Sequence, residues 1–162
     1  MLLGTGAPWH GTDRLIKGLS NYKGKLQIKI DIIGFYSDSD VIMTQKLKLE
    51  EVVRFLSPIS GNKLDEQIRN YHISIGTLAV HRKNLVEATP LKVRESLMRG
   101  FPNIIAYNDP DFIESEKINE YILKLPANDE PIDFSLIEQF ANRVLLKNNY
   151  TNIISEMARP LI

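Results

Sequence analysis

The chain of 162 residues contains no cysteine. That excludes a disulfide framework, a thiolate nucleophile and a Cys-ligated zinc, and it suits a reducing compartment. Charge of either sign is not in excess, with 20 Lys plus Arg against 20 Asp plus Glu. No global field therefore draws the chain to nucleic acid or to an anionic membrane, and any polyanion site must be local. Long apolar runs are also lacking: Ile32-Ile33 and Ile104-Ile105-Ala106 are typical, far below the roughly 20 residues of a membrane span. The start, Met1-Leu2-Leu3-Gly4, has neither the basic region nor the apolar stretch of a secretory signal. A cytoplasmic location is the expectation. His10, His72 and His81 share no metal-ligand spacing, and no local Ser, His and Asp group forms a nucleophile motif. Neither an internal repeat nor a low-complexity linker interrupts the sequence. What is present, 43% hydrophobic and 25% charged residues, fits a single globular domain over 1–162.

Periodicity alternates between short β-rich runs and helical patterns. Strands are predicted at Leu2 to Thr5, Leu26 to Ile33, Val52 to Leu56, Ile73 to Leu78, Asn103 to Tyr107 and Tyr121 to Leu125. In the second, Leu26, Ile28, Ile30 and Ile32 alternate with polar residues, which reads as a half-buried strand closed by Gly34. Leu15, Ile16, Leu19 and Tyr22 recur at helical spacing before Gly24. Further helices are predicted at Ser39 to Glu50, Leu64 to Tyr71, Phe134 to Lys147 and Tyr150 to Met157. The sharpest helix boundaries are Thr89 as N-cap, Pro90 at the first helical position and Gly100 beyond the last turn. Strands separated by helices demand parallel pairing through crossovers. The expected fold is α/β, a Rossmann-like open parallel sheet of about six strands with helices on both faces. Ligands of such sheets bind beyond the carboxyl ends of the strands, so the strand-to-helix loops carry the functional signal.

The first loop, Gly4-Thr5-Gly6-Ala7-Pro8-Trp9-His10-Gly11-Thr12-Asp13, has glycines that let backbone amides approach a ligand. It lacks the third Gly of a dinucleotide fingerprint, where Trp9 stands, and the Lys of a Walker A loop. Leu78 to Ala88 carries His81-Arg82-Lys83 and Glu87, just before the helix that bears Glu95. Basic side chains and the free amides of Thr89 to Lys92 suit an anion, with Arg82 or Lys83 clamping a diphosphate. On one helix, Glu87 and Glu95 would be about 12 Å apart along the axis, suited to gripping hydroxyls on either side of that diphosphate. The plainer account is a solvated helix face, with Lys92 and Glu95 at i,i+3 and Glu95 and Arg99 at i,i+4. Asp38-Ser39-Asp40 and Asp109-Pro110-Asp111 have paired-Asp spacing, but caps and turns explain both more economically.

The run Glu87-Ala88-Thr89-Pro90-Leu91-Lys92-Val93-Arg94-Glu95, followed by Ser96-Leu97-Met98-Arg99-Gly100-Phe101-Pro102, resembles the Glu, seven residues, Glu motif of group-1 (family 4) retaining glycosyltransferases. Trp9-His10-Gly11-Thr12-Asp13-Arg14-Leu15-Ile16 looks like that family's Lys-Gly-x-Asp-x-Leu-Ile segment. The resemblance spans nearly the whole chain. It implies the C-terminal, nucleotide-sugar-binding half of a GT-B fold, and transfer of a sugar from a nucleoside-diphosphate sugar to an acceptor hydroxyl with retention. No essential metal or other cofactor is implied. By resemblance, Glu87 holds the donor sugar, Glu95 the ribose, and the backbone of the Thr89-Pro90-Leu91-Lys92 segment the distal phosphate. Gly6, His10 and Gly11 belong to the phosphate loop, and Pro58 in Ser57 to Gly61 lies near the base. His10 stands where the family has Lys, and no Arg precedes it, so Arg82 and Lys83 are the expected replacements. The partners implied are the nucleotide sugar and a missing N-terminal acceptor domain, without which the chain would be inactive. A polysaccharide or glycoconjugate product is implied too, with peripheral membrane association in a longer protein compatible with the resemblance. The competing expectation is a non-catalytic nucleotide-binding or structural α/β module.

Overall fold

The computed structural model describes residues 1–113 and 116–147. Six strands form one sheet: β1 (Leu2–Thr5), β2 (Ile30–Phe35), β3 (Val53–Leu56), β4 (Ser74–Ile75), β5 (Asn103–Ile105) and β6 (Ile122–Lys124). Their order is β3-β2-β1-β4-β5-β6 and every pairing is parallel. The order reverses between β1 and β4, which makes their carboxyl ends the topological switch point of an open Rossmann-like sheet. Both the expected fold class and the strand number hold.

The connecting helices are α1 (Thr12–Asn21), α2 (Asp38–Lys46), α3 (Asn62–Ile68), α4 (Leu91–Met98), α5 (Pro110–Ile113), α6 (Glu116–Asn119) and α7 (Phe134–Lys147). The two faces of the sheet bury different sets of them. On one, Leu2, Ile32 and Ile104 pack with Leu15 and Leu19 of α1 and with Phe134, Ile137 and Phe140 of α7. On the other, Ile105 packs with Val93 and Leu97 of α4, while Met1 joins Ile68 of α3. Adjacent residues Ile104 and Ile105 thus face opposite layers, as strand alternation requires. Burial of each Leu or Ile contributes roughly 1.5–3 kcal/mol.

Three expectations need correction. The second strand begins at Ile30 and continues through Gly34 to Phe35, because β2 is an interior strand buried on both faces, and the alternation over 26–29 belongs to the approach to it. Gly34, paired with Gly4, does not close the strand; a Cβ there would meet the Gly4 carbonyl oxygen at 2.2 Å. β4 is assigned only Ser74–Ile75: the Gly76 amide still donates to the Ile104 carbonyl and Thr77 accepts from Ala106, but the Leu78 and Ala79 amides turn away to the carbonyls of His10 and Trp9. The helix bearing Glu95 starts at Leu91, with Pro90 as its N-cap and no side-chain capping bond; Thr89 is not the cap. Phe134–Lys147 is helical as expected, whereas the predicted helix Tyr150 to Met157 lies outside the described residues.

Candidate nucleotide-binding crevice

Three loops meet at the carboxyl edge of the sheet, those following β1, β4 and β6, and Arg82 ties them together. Its guanidinium donates to both carboxylate oxygens of Asp13 at 2.8 and 3.0 Å, to the Pro8 carbonyl at 2.8 Å and to Asp129 at 2.7 Å. Burial alone would raise the Asp13 carboxyl, but Arg82 and then Lys17 outweigh it and hold it below the usual carboxylate range. Hydrogen bonds to Asp13 in turn push Arg82 further up. A bidentate pair of this kind fixes orientation as well as charge. Arg82 therefore braces the crevice, and its donors are occupied by protein acceptors. Lys83 is exposed, its ammonium 4.6 Å from the centre of the Trp9 ring, a cation–π contact.

Behind Arg82, Arg14 anchors the third loop from below. It is 1% exposed, yet it donates to the carbonyls of Glu130, Leu78 and Pro126 and to the Asn128 side chain. Its planar fork donates to four acceptors at once, which ties the loop after β6 to Leu78. The sequence reading missed Arg14, since its partners lie 64 to 116 residues away.

The first loop turns on two glycines in the left-handed region. Gly6 (φ 73°) lies against the Tyr36 backbone, and at Gly11 (φ 70°) a Cβ would be 2.8 Å from Leu78. Between them the short 3₁₀ turn Pro8–His10 buries the His10 ring. Its Nε2 is 3.2 Å from the Thr5 amide, which donates to it, and 3.0 Å from Thr5 Oγ1. On the other side, Nδ1 is 3.0 Å from Nζ of Lys92, which also donates to the Leu3 carbonyl at 3.0 Å. Burial, then the Lys92 charge, lowers His10 to about 4, and burial lowers Lys92 to about 8. At neutral pH the ring is thus neutral beside an ammonium. Lys92 does not lie on a solvated face with Glu95; it turns inward.

Glu87 and Glu95 do not share a helix. Glu87 is exposed before α4 and its backbone bridges to Asn108. Glu95 lies on α4, exposed, its carboxylate 4.0 Å from Arg99. Glu95 also lines, with Lys92 and Leu3, a cavity of about 20 Å³. The amides of Leu91 and Lys92 open α4, while Thr89 and Pro90 lie in the extended approach to it. Pro58 follows β3, exposed, in the loop beyond Leu56. At the same edge Phe35 and Tyr36 are exposed, and Tyr36 packs on Phe55 with ring centres 5.0 Å apart. A larger cavity of about 400 Å³, lined by Tyr22, Gly24, Phe134 and Glu138, lies at the carboxyl end of α1 and takes in Pro131 to Asp133 at the far end of the loop after β6. The paired aspartates are explained as expected. Ser37 caps α2 by accepting from the Asp40 amide at 3.2 Å, and Asp109 binds Arg94 through both oxygens at 2.9 and 3.0 Å. Among the described residues no group of three or more His, Cys, Asp or Glu is placed to hold a metal.

Comparison with solved structures follows this geometry. The catalytic domain of cholesterol-alpha-glucosyltransferase from Helicobacter pylori superposes with a TM-score of 0.65 at 16% identity, covering 96% of this chain and 95% of that one. The chain has the fold of a known glycosyltransferase domain. Anabaena HepE, solved in complex with UDP, superposes with a TM-score of 0.58 at 15% identity, over 97% of this chain and 47% of HepE. The chain therefore spans about half the length of that neighbour. No protein-family profile matches it, and no curated protein matches it by sequence. No helix among the described residues is long and apolar enough to cross a membrane.

Proposed function

We propose that the chain is the donor-binding half of a GT-B glycosyltransferase of the retaining, family 4 type, moving a hexosyl group from a nucleoside-diphosphate sugar to an acceptor hydroxyl. The observation that carries this reading is the crevice at the switch point. There the Gly6 to Gly11 loop, the first turn of α4 and the inward-turned Lys92 converge at the carboxyl end of β1. Backbone amides, a helix N-terminus and an ammonium suit a diphosphate. The fold shared with a glucosyltransferase catalytic domain and with a UDP-bound protein supports the same reading.

In this assignment Glu87 faces the donor sugar, Glu95 the ribose, the α4 amides the distal phosphate, and the loop containing Pro58 the base. Lys83 is the exposed cation at the rim, and Arg82 holds the loop that carries it. The departing diphosphate gathers negative charge, and donors fixed in advance stabilise it without reorganising. Acceptor positioning and exclusion of water fall to a second domain, so the isolated chain binds donor without turning it over. The test is calorimetric titration with UDP, GDP, ADP and CDP, with and without chelator, repeated on Glu95→Ala. Saturable binding that survives chelator and weakens about tenfold in Glu95→Ala is expected, the loss of a hydrogen bond to a charged group. If none of the four nucleotides binds, the donor-site assignment fails and the structural-module reading takes its place.

A further inference from the structure

The cavity of about 400 Å³ between the end of α1 and the start of α7 has the size of a small-molecule site, and the donor-site reading makes no use of it. Its wall joins residues far apart in sequence. The Tyr22 hydroxyl donates to Glu138 Oε2 at 2.7 Å and accepts from the Leu26 amide at 3.1 Å, while the Lys25 amide donates to Glu138 Oε1 at 3.3 Å. Gly24 makes room for this pair, since a Cβ there would overlap both the Glu138 carboxylate and the Tyr22 hydroxyl. A Cβ on Gly18 would likewise strike the Ile132 carbonyl. The Tyr22 ring packs on Phe134, with ring centres 6.0 Å apart, and Phe134 is buried. Ring and carboxylate are thus held in place by the fold itself.

The lining specifies the chemistry of a ligand. A carboxylate accepts about four hydrogen bonds; Glu138 has two, and Asp133 has one, from the Ser135 amide at 2.9 Å. Among the described residues no lysine or arginine pairs with either. Those spare acceptors call for a ligand that donates. Asn21, Lys23 and Ser135 line the same cavity and are exposed, and their amide, ammonium and hydroxyl groups call for one that also accepts. A simple cation meets only the first demand and an anion only the second. A sugar meets both, because each hydroxyl donates and accepts, and its C–H face suits an aromatic ring. We propose that this cavity is a saccharide-binding site, with Glu138 gripping ring hydroxyls and Tyr22 packing against the sugar face. The site is distinct from the crevice. The loop after β6 enters the cavity at Pro131 to Asp133, whereas its Asp129 is bound to Arg82.

The test follows backbone amide chemical shifts of the isotope-labelled chain during titration with glucose, galactose, mannose and N-acetylglucosamine, and with ethylammonium chloride as the cation control. At least one sugar should move the amides of Gly24, Ser135 and Glu138 saturably, with a Kd on the order of millimolar. Glu138→Gln should weaken that sugar about tenfold, as expected for one hydrogen bond to a charged group. Asn21→Ala should weaken it about threefold, the smaller loss of a neutral hydrogen bond. Asn21 is exposed at the end of α1, so its variant decides the question even where Glu138→Gln does not fold. Glu87→Gln, in the crevice, should leave binding at the cavity unchanged. The proposal is overturned if none of the four sugars moves these amides, if ethylammonium moves them more than any sugar, or if both cavity variants bind as the parent does. If a sugar instead moves amides of the crevice and is weakened only by Glu87→Gln, the cavity proposal falls while the donor-site reading stands. Sugar binding at the cavity in a chain that binds no nucleotide would leave the cavity proposal standing alone.

Discussion

The two ends of the sheet treat buried charge in opposite ways. At the amino end, Asp31 on β2 is 2% exposed and fully partnered: Arg54 binds it with 2.7 and 2.5 Å contacts and the Tyr71 hydroxyl donates at 2.6 Å. Burial would raise that carboxyl, yet Arg54 and Tyr71 hold it low. At the carboxyl end, Lys92 meets a carbonyl and a ring nitrogen, and among the described residues no carboxylate shares its charge. One network is closed by the protein itself. The other leaves, among the described residues, an ammonium that no carboxylate balances. The contrast separates a device that fixes the fold from one that keeps a site charged, at the cost of holding an ammonium in a partly dry place.

The largest effect that sharpens this contrast is expected from Arg54→Ala. It strands a buried carboxylate and should cost about 3 kcal/mol, the lower part of the range for breaking a buried pair, because Arg54 itself is largely solvated. Urea denaturation near neutral pH measures it. A loss below about 1 kcal/mol would place the amino-end pair among ordinary surface ion pairs and remove the contrast.

The second effect is a pH dependence at the carboxyl end, isolated by comparing a His10 variant with the parent because burial also lowers the Met1 amino group at the amino end to about 5. His10 takes up its proton at about 4 in the fold, against 6.5 for an ordinary histidine. Between those values the unfolded chain binds a proton that the folded chain does not. Stability attached to the neutral ring is therefore complete above about pH 6.5 and is lost as pH falls toward 4. From pH 7 to pH 5 the parent should lose about 2 kcal/mol through this group, and His10→Gln should lose less by that amount. Equal slopes for the two proteins in denaturation at both pH values would show that the ring is not held neutral.

How much of this was legible in the sequence follows the range of the interactions. The parallel six-stranded order could be read because each strand and helix announces itself within a dozen residues, through period and through Gly and Pro at its ends. Boundaries failed where a distant partner decided them. Leu26 to Lys29 alternates like a strand, yet β2 begins only at Ile30, where β3 supplies partners through Val53. Thr89-Pro90 looks like a cap and first residue, but Pro90 is extended (ψ 127°) and α4 opens one residue later. The crevice was legible in outline, since its loops could be named from the topology. Its polarity was not: Lys92 and His10 are 82 residues apart, and Arg82 and Asp13 are 69 apart. Local spacing places Lys92 beside Glu95 with equal plausibility. A lysine in the first turn of a helix, where its charge opposes the dipole, was the one local sign that Lys92 answers to something other than its own helix.

The smallest effect is the most discriminating, because its sign is opposite to that at the amino end. Lys92→Met removes an ammonium that burial depresses to about 8 and replaces it with an apolar side chain of similar length. Two hydrogen bonds are lost, to Leu3 and to His10, but the desolvation cost of the charge disappears with them. The balance should leave the free chain within about 1 kcal/mol of the parent, or above it, as substitutions that relieve a functional strain commonly do. Urea denaturation of the two proteins side by side at neutral pH reads the difference. A loss comparable to that of Arg54→Ala would mean that Lys92 is a structural tie, and the two ends of the sheet would then be built on one principle. An unchanged or raised stability shows instead that the fold tolerates Lys92 rather than depending on it, which is the relation expected of a charge kept in place for a ligand.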